Sequence, residues 1–171
     1  MTHFWPPLRM DTTHTIHGVT EKRFPMAPPT WLQTAVLLAG AGQLVIVIGS
    51  LAIPVVLKWG ADVAKLRPLT RQVFWTYAGY IWATNLCFGL ISVAGADLLI
   101  DGTSLSAAVT GFITLYWAAR IVIQFTYFDR SDAPSGAFFV FAEIVLVGLF
   151  LFFTAVYGYA TFVNVSNVGV S

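Results

Sequence analysis

Hydrophobic and polar positions divide this chain into four long apolar blocks, which are separated by short polar segments. About twenty apolar residues are enough for an α-helix to cross the hydrocarbon core of a bilayer, and each block is longer than that. The pattern therefore predicts an all-α integral membrane protein, a four-helix transmembrane bundle with short loops, over residues 30–163. The predicted spans are residues 31–57, 71–95, 106–128 and 137–163.

The segments that flank the predicted bundle are polar. Residues 1–29 contain five prolines and no long apolar stretch, which predicts a flexible polar tail and not a cleaved signal sequence. The first apolar block then acts as an uncleaved signal anchor, and the spacing of Thr30 and Gln33 predicts a capping box at its start. Residues 164–171 are predicted to form a short C-terminal tail.

The composition agrees with a membrane protein. The chain is 57% hydrophobic and 10% charged, whereas soluble domains are about 45–50% apolar and about 25% charged. A net charge of +1 gives no electrostatic reason to expect a nucleic-acid partner. The single cysteine, Cys87, excludes a disulfide within the chain, and we expect it to be a small buried apolar residue.

Basic residues near the span ends predict the orientation. Cytoplasmic loops of membrane proteins carry an excess of lysine and arginine. Five such residues lie beside the first and third loops, against two close to the first span on the other side: Lys58, Lys65, Arg67, Arg71 and Arg130 against Lys22 and Arg23. We therefore predict a multi-pass protein of the bacterial inner membrane, with the first and third loops in the cytoplasm and both termini outside.

Two full charges lie inside the last two spans. Arg120 precedes the end of the third predicted span by eight residues, and Glu143 follows the start of the fourth by six. The short turn 129–136 makes these spans antiparallel, so the two charges lie at nearly the same depth. An intramembrane charge costs about 2.5–3.5 kcal/mol on insertion scales. We predict a buried ion pair that locks the two spans; snorkelling to the surface, or a polar cavity for an ion or substrate, are the alternatives.

Other polar residues extend this pattern. Tyr116 and Gln124 lie one helical turn on either side of Arg120, so the three form one stripe. Gln43 and Asn85 lie at similar depths when counted from the outer ends of the first two spans, which predicts an amide hydrogen bond between them. The candidates for a ligand site or an ion pathway are thus Arg120, Glu143, Gln124, Tyr116, Asn85 and Gln43.

Several chemistries lack the residues that they need. The three histidines, His3, His14 and His17, all lie in the tail, which excludes bis-histidine haem and serine–histidine catalysis within the bundle. One cysteine excludes a dithiol enzyme. The sequence therefore predicts no catalytic residue, no metal and no cofactor, and nothing in it indicates nucleic-acid recognition.

These observations favour a small non-catalytic protein, an accessory or scaffold subunit of a membrane assembly. Its expected partners are the lipid bilayer and either further copies of itself or a larger membrane complex. The alternative is a small transporter, channel or lipophilic-ligand-binding protein with a polar site around Arg120 and Glu143. A membrane enzyme acting on a lipid or quinone is the weakest reading, because Glu143 would be its only acid–base group within the spans.

Overall fold

Four helices of this chain are long and apolar enough to cross a membrane, which confirms the predicted fold class. The structure is a computed structural model that describes residues 27–127 and 136–168. The tail with its three histidines, most of the third loop, and the basic residues Lys22, Arg23 and Arg130 lie outside the described residues. The helices are α1 (Thr30–Ser50), α2 (Ile53–Val56), α3 (Trp59–Val63), α4 (Pro68–Ala94), α5 (Ser104–Thr126) and α6 (Ala137–Asn167), with a 3₁₀ turn at Leu98–Ile100.

The helices α1 and α4 begin at prolines and have no side-chain cap. Pro29 occupies the N-cap of α1 without a side-chain cap, and its carbonyl accepts from the Leu32 N–H at 2.9 Å. Thr30 is therefore already helical, and the predicted Thr30–Gln33 box does not form. Pro68 opens α4, where its missing N–H would be unpaired in any helix. At the other end of the bundle, α6 continues to Asn167, beyond the predicted end of the fourth span.

Pro54 interrupts the first span. α1 ends at Ser50, and the short helix α2 resumes the same apolar run with Pro54 in its first turn. A proline has no N–H to donate to the carbonyl one turn earlier, so the helix breaks just before it. The run over Thr30–Val56 is still long enough to span a bilayer. After α2 the chain turns at Lys58, which adopts a left-handed conformation with φ 52°.

The spans pack as two hairpins, α1 with α4 and α5 with α6, which meet mainly along α1 and α6. Glycines bring α1 and α4 close together, as small residues do in membrane helix pairs. A Cβ added at Gly40 would lie 2.7 Å from the Ser92 Cβ, and one added at Gly89 would lie 2.7 Å from the Leu44 Cδ2. Gly49 of α1, by contrast, faces open space.

Buried residues lie towards one end of the bundle, the end of the second loop. They fall in the ranges Leu32–Val47 of α1, Phe88–Ser92 of α4, Ser106–Trp117 of α5 and Phe150–Asn164 of α6, which extend past the midpoints of α1, α5 and α6. Between these ranges and the first and third loops, no described side chain of the four spans is buried. We call the part with the buried residues the closed half and the remainder the open half. Within one chain, the hydrophobic core thus covers the inner faces of the spans in the closed half and not in the open half.

Asn164 fastens the second loop to the closed half. Its fully buried side chain donates to the Leu99 carbonyl at 2.8 Å and accepts from the Gly102 N–H at 3.0 Å. Gly102 has φ 78°, a left-handed conformation that favours glycine. Next to it, the Thr103 N–H donates to Asp101 at 3.0 Å, which lowers the pKa of this carboxyl. The loop is therefore a fixed cap on the bundle.

Candidate functional site

The charged residues of the last two spans are connected through Gln124. The Arg120 Nη1 donates to the Gln124 Oε1 at 3.2 Å, and the Gln124 Nε2 donates to the Glu143 Oε1 at 3.3 Å. All three side chains are half-buried and lie in the open half. Arg120 lies six residues before the end of α5 and Glu143 six residues after the start of α6. Their depths therefore match, while the direct ion pair between them stays a prediction.

Arg120 also contacts the edge of the hydrophobic core. Its guanidinium carbon lies 5.2 Å from the centre of the Phe150 ring, a cation–π distance. The other side of this core edge is formed by Trp117, whose ring stacks on Phe150 at 5.1 Å. The cation thus lies where the closed half meets the open half.

Asn85 and Tyr116 connect α4 to α5. The Asn85 Nδ2 donates to the Tyr116 hydroxyl at 2.9 Å and to the Ile81 carbonyl of its own helix at 2.9 Å. The Phe88 ring packs edge-on against Tyr116 at 5.2 Å and against Phe112 at 5.8 Å. One amide and three aromatic rings therefore join the two hairpins along this side.

Gln43 belongs to a separate network deep in the closed half. Its Nε2 donates to the Tyr157 hydroxyl at 2.6 Å, and the same hydroxyl lies 2.6 Å from the Ser92 Oγ. All three side chains are fully buried. The network therefore ties α1, α4 and α6 together with polar contacts at one level of the core.

The predicted hydrogen bond between Gln43 and Asn85 is wrong. Gln43 lies level with Ser92 of α4. Asn85 precedes Ser92 by seven residues, which places it about 10 Å away along the helix axis. The prediction counted depth from assumed outer ends of the spans. In the structure α1 extends past the end of α4, and the buried 3₁₀ turn with Leu99 and Ile100 lies beside that extension.

Of the six predicted site residues, three lie on one hydrogen-bonded chain and the others do not join it. Arg120, Gln124 and Glu143 form this chain. Asn85 is hydrogen-bonded to Tyr116, and Gln43 is hydrogen-bonded to Tyr157. Tyr157 and Asn164 are buried polar partners that are not among the predicted site residues. A signal was present, because the two residues are seven apart and so share one face of α6. Cys87 is exposed, contrary to the prediction, because the residue that faces the core is its neighbour Phe88.

Among the described residues there is no metal cluster, and the groove that the structure shows lies away from the charged residues of the last two spans. Within the ranges 27–127 and 136–168, no group of three His, Cys, Asp or Glu residues could hold a metal ion. A shallow groove of about 290 Å³ follows α4 and is lined by Gln72, Val73, Thr76, Tyr77 and Tyr80. None of these groove residues belongs to the hydrogen-bonded chain of Arg120, Gln124 and Glu143.

Comparison with known protein families, curated proteins and solved structures finds no match to this chain. Information about its function therefore comes from its own side chains and their contacts.

Proposed function

We propose that this protein is a non-catalytic accessory or scaffold subunit of a membrane assembly, which receives a helix of a partner protein at its open half. The observation that carries this proposal is the one-sided core. Every span has buried residues in the closed half, and none of their described side chains is buried in the open half.

The open half is polar at a depth where exposure to lipid is costly. Arg120, Gln124 and Glu143 are only half-buried there. Arg120 and Glu143 lie about 9 Å inside the ends of α5 and α6, and Gln124 lies about 3 Å inside the end of α5. In hydrocarbon, partly covered polar and charged groups are stabilised by further protein contacts. A helix of a second membrane protein, or of a second copy, would supply such contacts and cover the inner faces of the spans.

Within this subunit, the hydrogen-bonded chain of Arg120, Gln124 and Glu143 locks α5 to α6. Gln124 bridges a cation on one side to a carboxylate on the other, and Arg120 also lies over the Phe150 ring of α6. A static role of this kind needs no moving part and no cofactor. It explains a pair of opposite charges at equal depth without any catalytic group.

The proposed setting is the bacterial inner membrane, with the first and third loops in the cytoplasm and both termini outside. The five-to-two excess of basic residues beside these loops supports this orientation. At the same end, Trp59 packs against Phe74 at 5.3 Å and Phe74 against Trp75 at 5.4 Å, a cluster typical of the membrane interface.

Cysteine labelling tests the orientation. In a Cys87→Ser background, we expect Ser166→Cys to react with a membrane-impermeant maleimide on intact cells. Ser131→Cys should react only after the membrane is permeabilised, because its loop would face the cytoplasm. Labelling of Ser131→Cys on intact cells would reverse the proposed orientation.

Photo-crosslinking from the open half tests the function. A photoreactive amino acid at Ala78, half-buried on α4, should give an adduct with a second polypeptide in native membranes. The matched probe at Gly79 lies about 100° around the helix from Ala78, faces open space and should crosslink mainly to lipid. In the lock interpretation, a folded Arg120→Leu/Glu143→Leu double variant keeps the Ala78 adduct.

Thermal unfolding tests the same interpretation. Each of the single variants Arg120→Leu and Glu143→Leu should unfold at a lower temperature than the double variant, since it retains one charge without the other.

The alternative is a protein that binds a lipophilic ligand or conducts an ion, with Arg120 and Glu143 in its site. The half-buried state of the stripe favours it, because such residues are accessible from the open half. Adducts at Ala78 that contain only lipid, together with a folded double variant that has lost the cellular phenotype, would favour this alternative and contradict the scaffold.

A further inference from the structure

Positive charge is concentrated between the first two spans, in residues 58–71, which we call the basic segment. It contains four basic residues, Lys58, Lys65, Arg67 and Arg71, and one acidic residue, Asp62. Four positive charges against one negative give the segment a net charge of +3, whereas the whole chain carries +1. All four basic side chains are exposed. The basic segment is therefore a cationic surface patch on an otherwise nearly neutral protein.

One of the four cations already has a partner within the segment. The Lys65 Nζ lies 2.9 Å from the Asp62 Oδ1, in an exposed ion pair. Within residues 27–127 and 136–168, no carboxylate lies within ion-pair distance of Lys58, Arg67 or Arg71. These three side chains are therefore accessible to an anion that the described part of the chain does not supply.

Aromatic packing holds the basic segment against α4. The Trp59 ring lies 5.3 Å from the Phe74 ring and 6.4 Å from the Trp75 ring. Lys58 directly precedes Trp59 in the chain. Arg71 lies three residues before Phe74 and four before Trp75, so it shares their face of α4. Lys58 and Arg71 thus lie beside one aromatic cluster, and not at unrelated points of a loose loop.

The ends of the adjoining spans show the depth of the segment. The apolar run of the first span ends at Val56, and the second span begins at Pro68. The basic segment therefore lies where the hydrocarbon core ends. Tryptophans are enriched at this level, among the lipid headgroups, and half-buried Trp59 is placed there. The anions that a membrane presents at this depth are lipid phosphates.

We propose that the basic segment binds the headgroup of an anionic phospholipid, with Lys58, Arg67 and Arg71 as the cationic contacts. Clusters of four or more basic residues beside a membrane span recognise anionic lipids, and charge-assisted hydrogen bonds from lysine and arginine hold the phosphate oxygens. Binding occurs at the membrane surface and not on the inner faces of the spans. It is therefore independent of any partner helix at the open half.

Native mass spectrometry tests the site on the full chain in detergent with equal amounts of phosphatidylglycerol and phosphatidylcholine. We expect the wild type to retain the anionic lipid several-fold more than the zwitterionic one. In Lys58→Gln/Arg67→Gln/Arg71→Gln this preference should fall about fivefold or more, because one basic residue at an anionic membrane surface strengthens binding by about that factor.

A second triple variant controls for net charge. Arg9→Gln/Lys22→Gln/Arg23→Gln removes three charges from the N-terminal tail, and it should keep the preference of the wild type. An equal loss in both triple variants would assign the preference to net charge and overturn the site. Equal retention of the two lipids by the wild type would also overturn it. In that case, an acidic polypeptide that binds the wild type and not the first triple variant would assign the segment to a protein partner.

Fluorescence quenching tests the site without changing any basic residue. Bilayers contain equal amounts of the two lipids, and bromine is carried by either phosphatidylglycerol or phosphatidylcholine. The emission that Trp59→Phe removes should be quenched more strongly by brominated phosphatidylglycerol. The emission that Trp31→Phe removes should be quenched equally by both, because Trp31 lies at the other end of the bundle, stacked on Tyr159 at 5.2 Å. Equal quenching at Trp59 would contradict the proposal.

Discussion

Replacing Gly40 with leucine should abolish the folded bundle, whereas the same change at Gly49 of the same helix should be tolerated. A Cβ at Gly40 would lie 2.7 Å from the Ser92 Cβ and 3.0 Å from the backbone nitrogen of Val93. Backbone atoms cannot rotate away as a side chain can, so α1 and α4 would have to separate. At Gly49 no atom lies within 4 Å of an added Cβ.

The effect should exceed that of an ordinary overpacked core. Extra methylenes in a packed core typically cost about 1–3 kcal/mol. The Tyr157 hydroxyl of α6 is bonded to Gln43 of α1 and to Ser92 of α4, each at 2.6 Å, so the separation of α1 from α4 would also break at least one of these two hydrogen bonds. The substitution therefore removes close packing and a buried polar network at the same time.

Thermal unfolding in detergent measures this difference. The midpoint should fall in the order wild type and Gly49→Leu, then Gly40→Ala, then Gly40→Leu, for which we expect no folded protein. Gly79→Leu on α4, where nothing lies within 4 Å, gives the matched control on the partner helix. A Gly40→Leu variant with the wild-type midpoint would show that the two helices do not approach closely at this point.

Contacts within a hairpin could be predicted from the sequence because few alternatives exist there. The turn between the last two spans is short, so α5 and α6 must return antiparallel and bring Arg120 and Glu143 to one depth. Gln124 lies one turn beyond Arg120, and its amide bridges the two. Counting residues from one turn is sufficient to place all three.

Contacts between hairpins depend on a longitudinal register that the spans do not encode locally. Gln43 and Asn85 have matching counts from their predicted outer ends, but α1 begins beyond the level at which α4 ends. The same apolar sequence allows either register, and close packing of Gly40 against Ser92 selects the observed one. Tyr157 therefore takes the position opposite Gln43, a contact between residues 114 apart in the chain.

The second loop should depend on one side chain of α6, since replacing Asn164 with leucine leaves the Leu99 carbonyl and the Gly102 N–H buried without a partner. In the wild type, Asn164 donates to the Leu99 carbonyl at 2.8 Å and accepts from the Gly102 N–H at 3.0 Å. A lost buried hydrogen bond of this kind costs about 1–3 kcal/mol, and here two are lost. We expect a lower midpoint of thermal unfolding and faster hydrogen exchange at the Gly102 amide.

Two variants separate the hydrogen bonds of Asn164 from its volume. Ser166→Leu changes a side chain whose hydroxyl donates to the Phe162 carbonyl of its own helix, and it should leave the loop intact. Asn164→Asp keeps an acceptor for the Gly102 N–H but loses the donor to Leu99 and places a carboxylate in the core. Its Gly102 amide should exchange more slowly than in Asn164→Leu although its thermal midpoint is also lowered. Equal exchange rates at Gly102 in the wild type and Asn164→Leu would mean that helix ends, and not this amide, hold the loop in place.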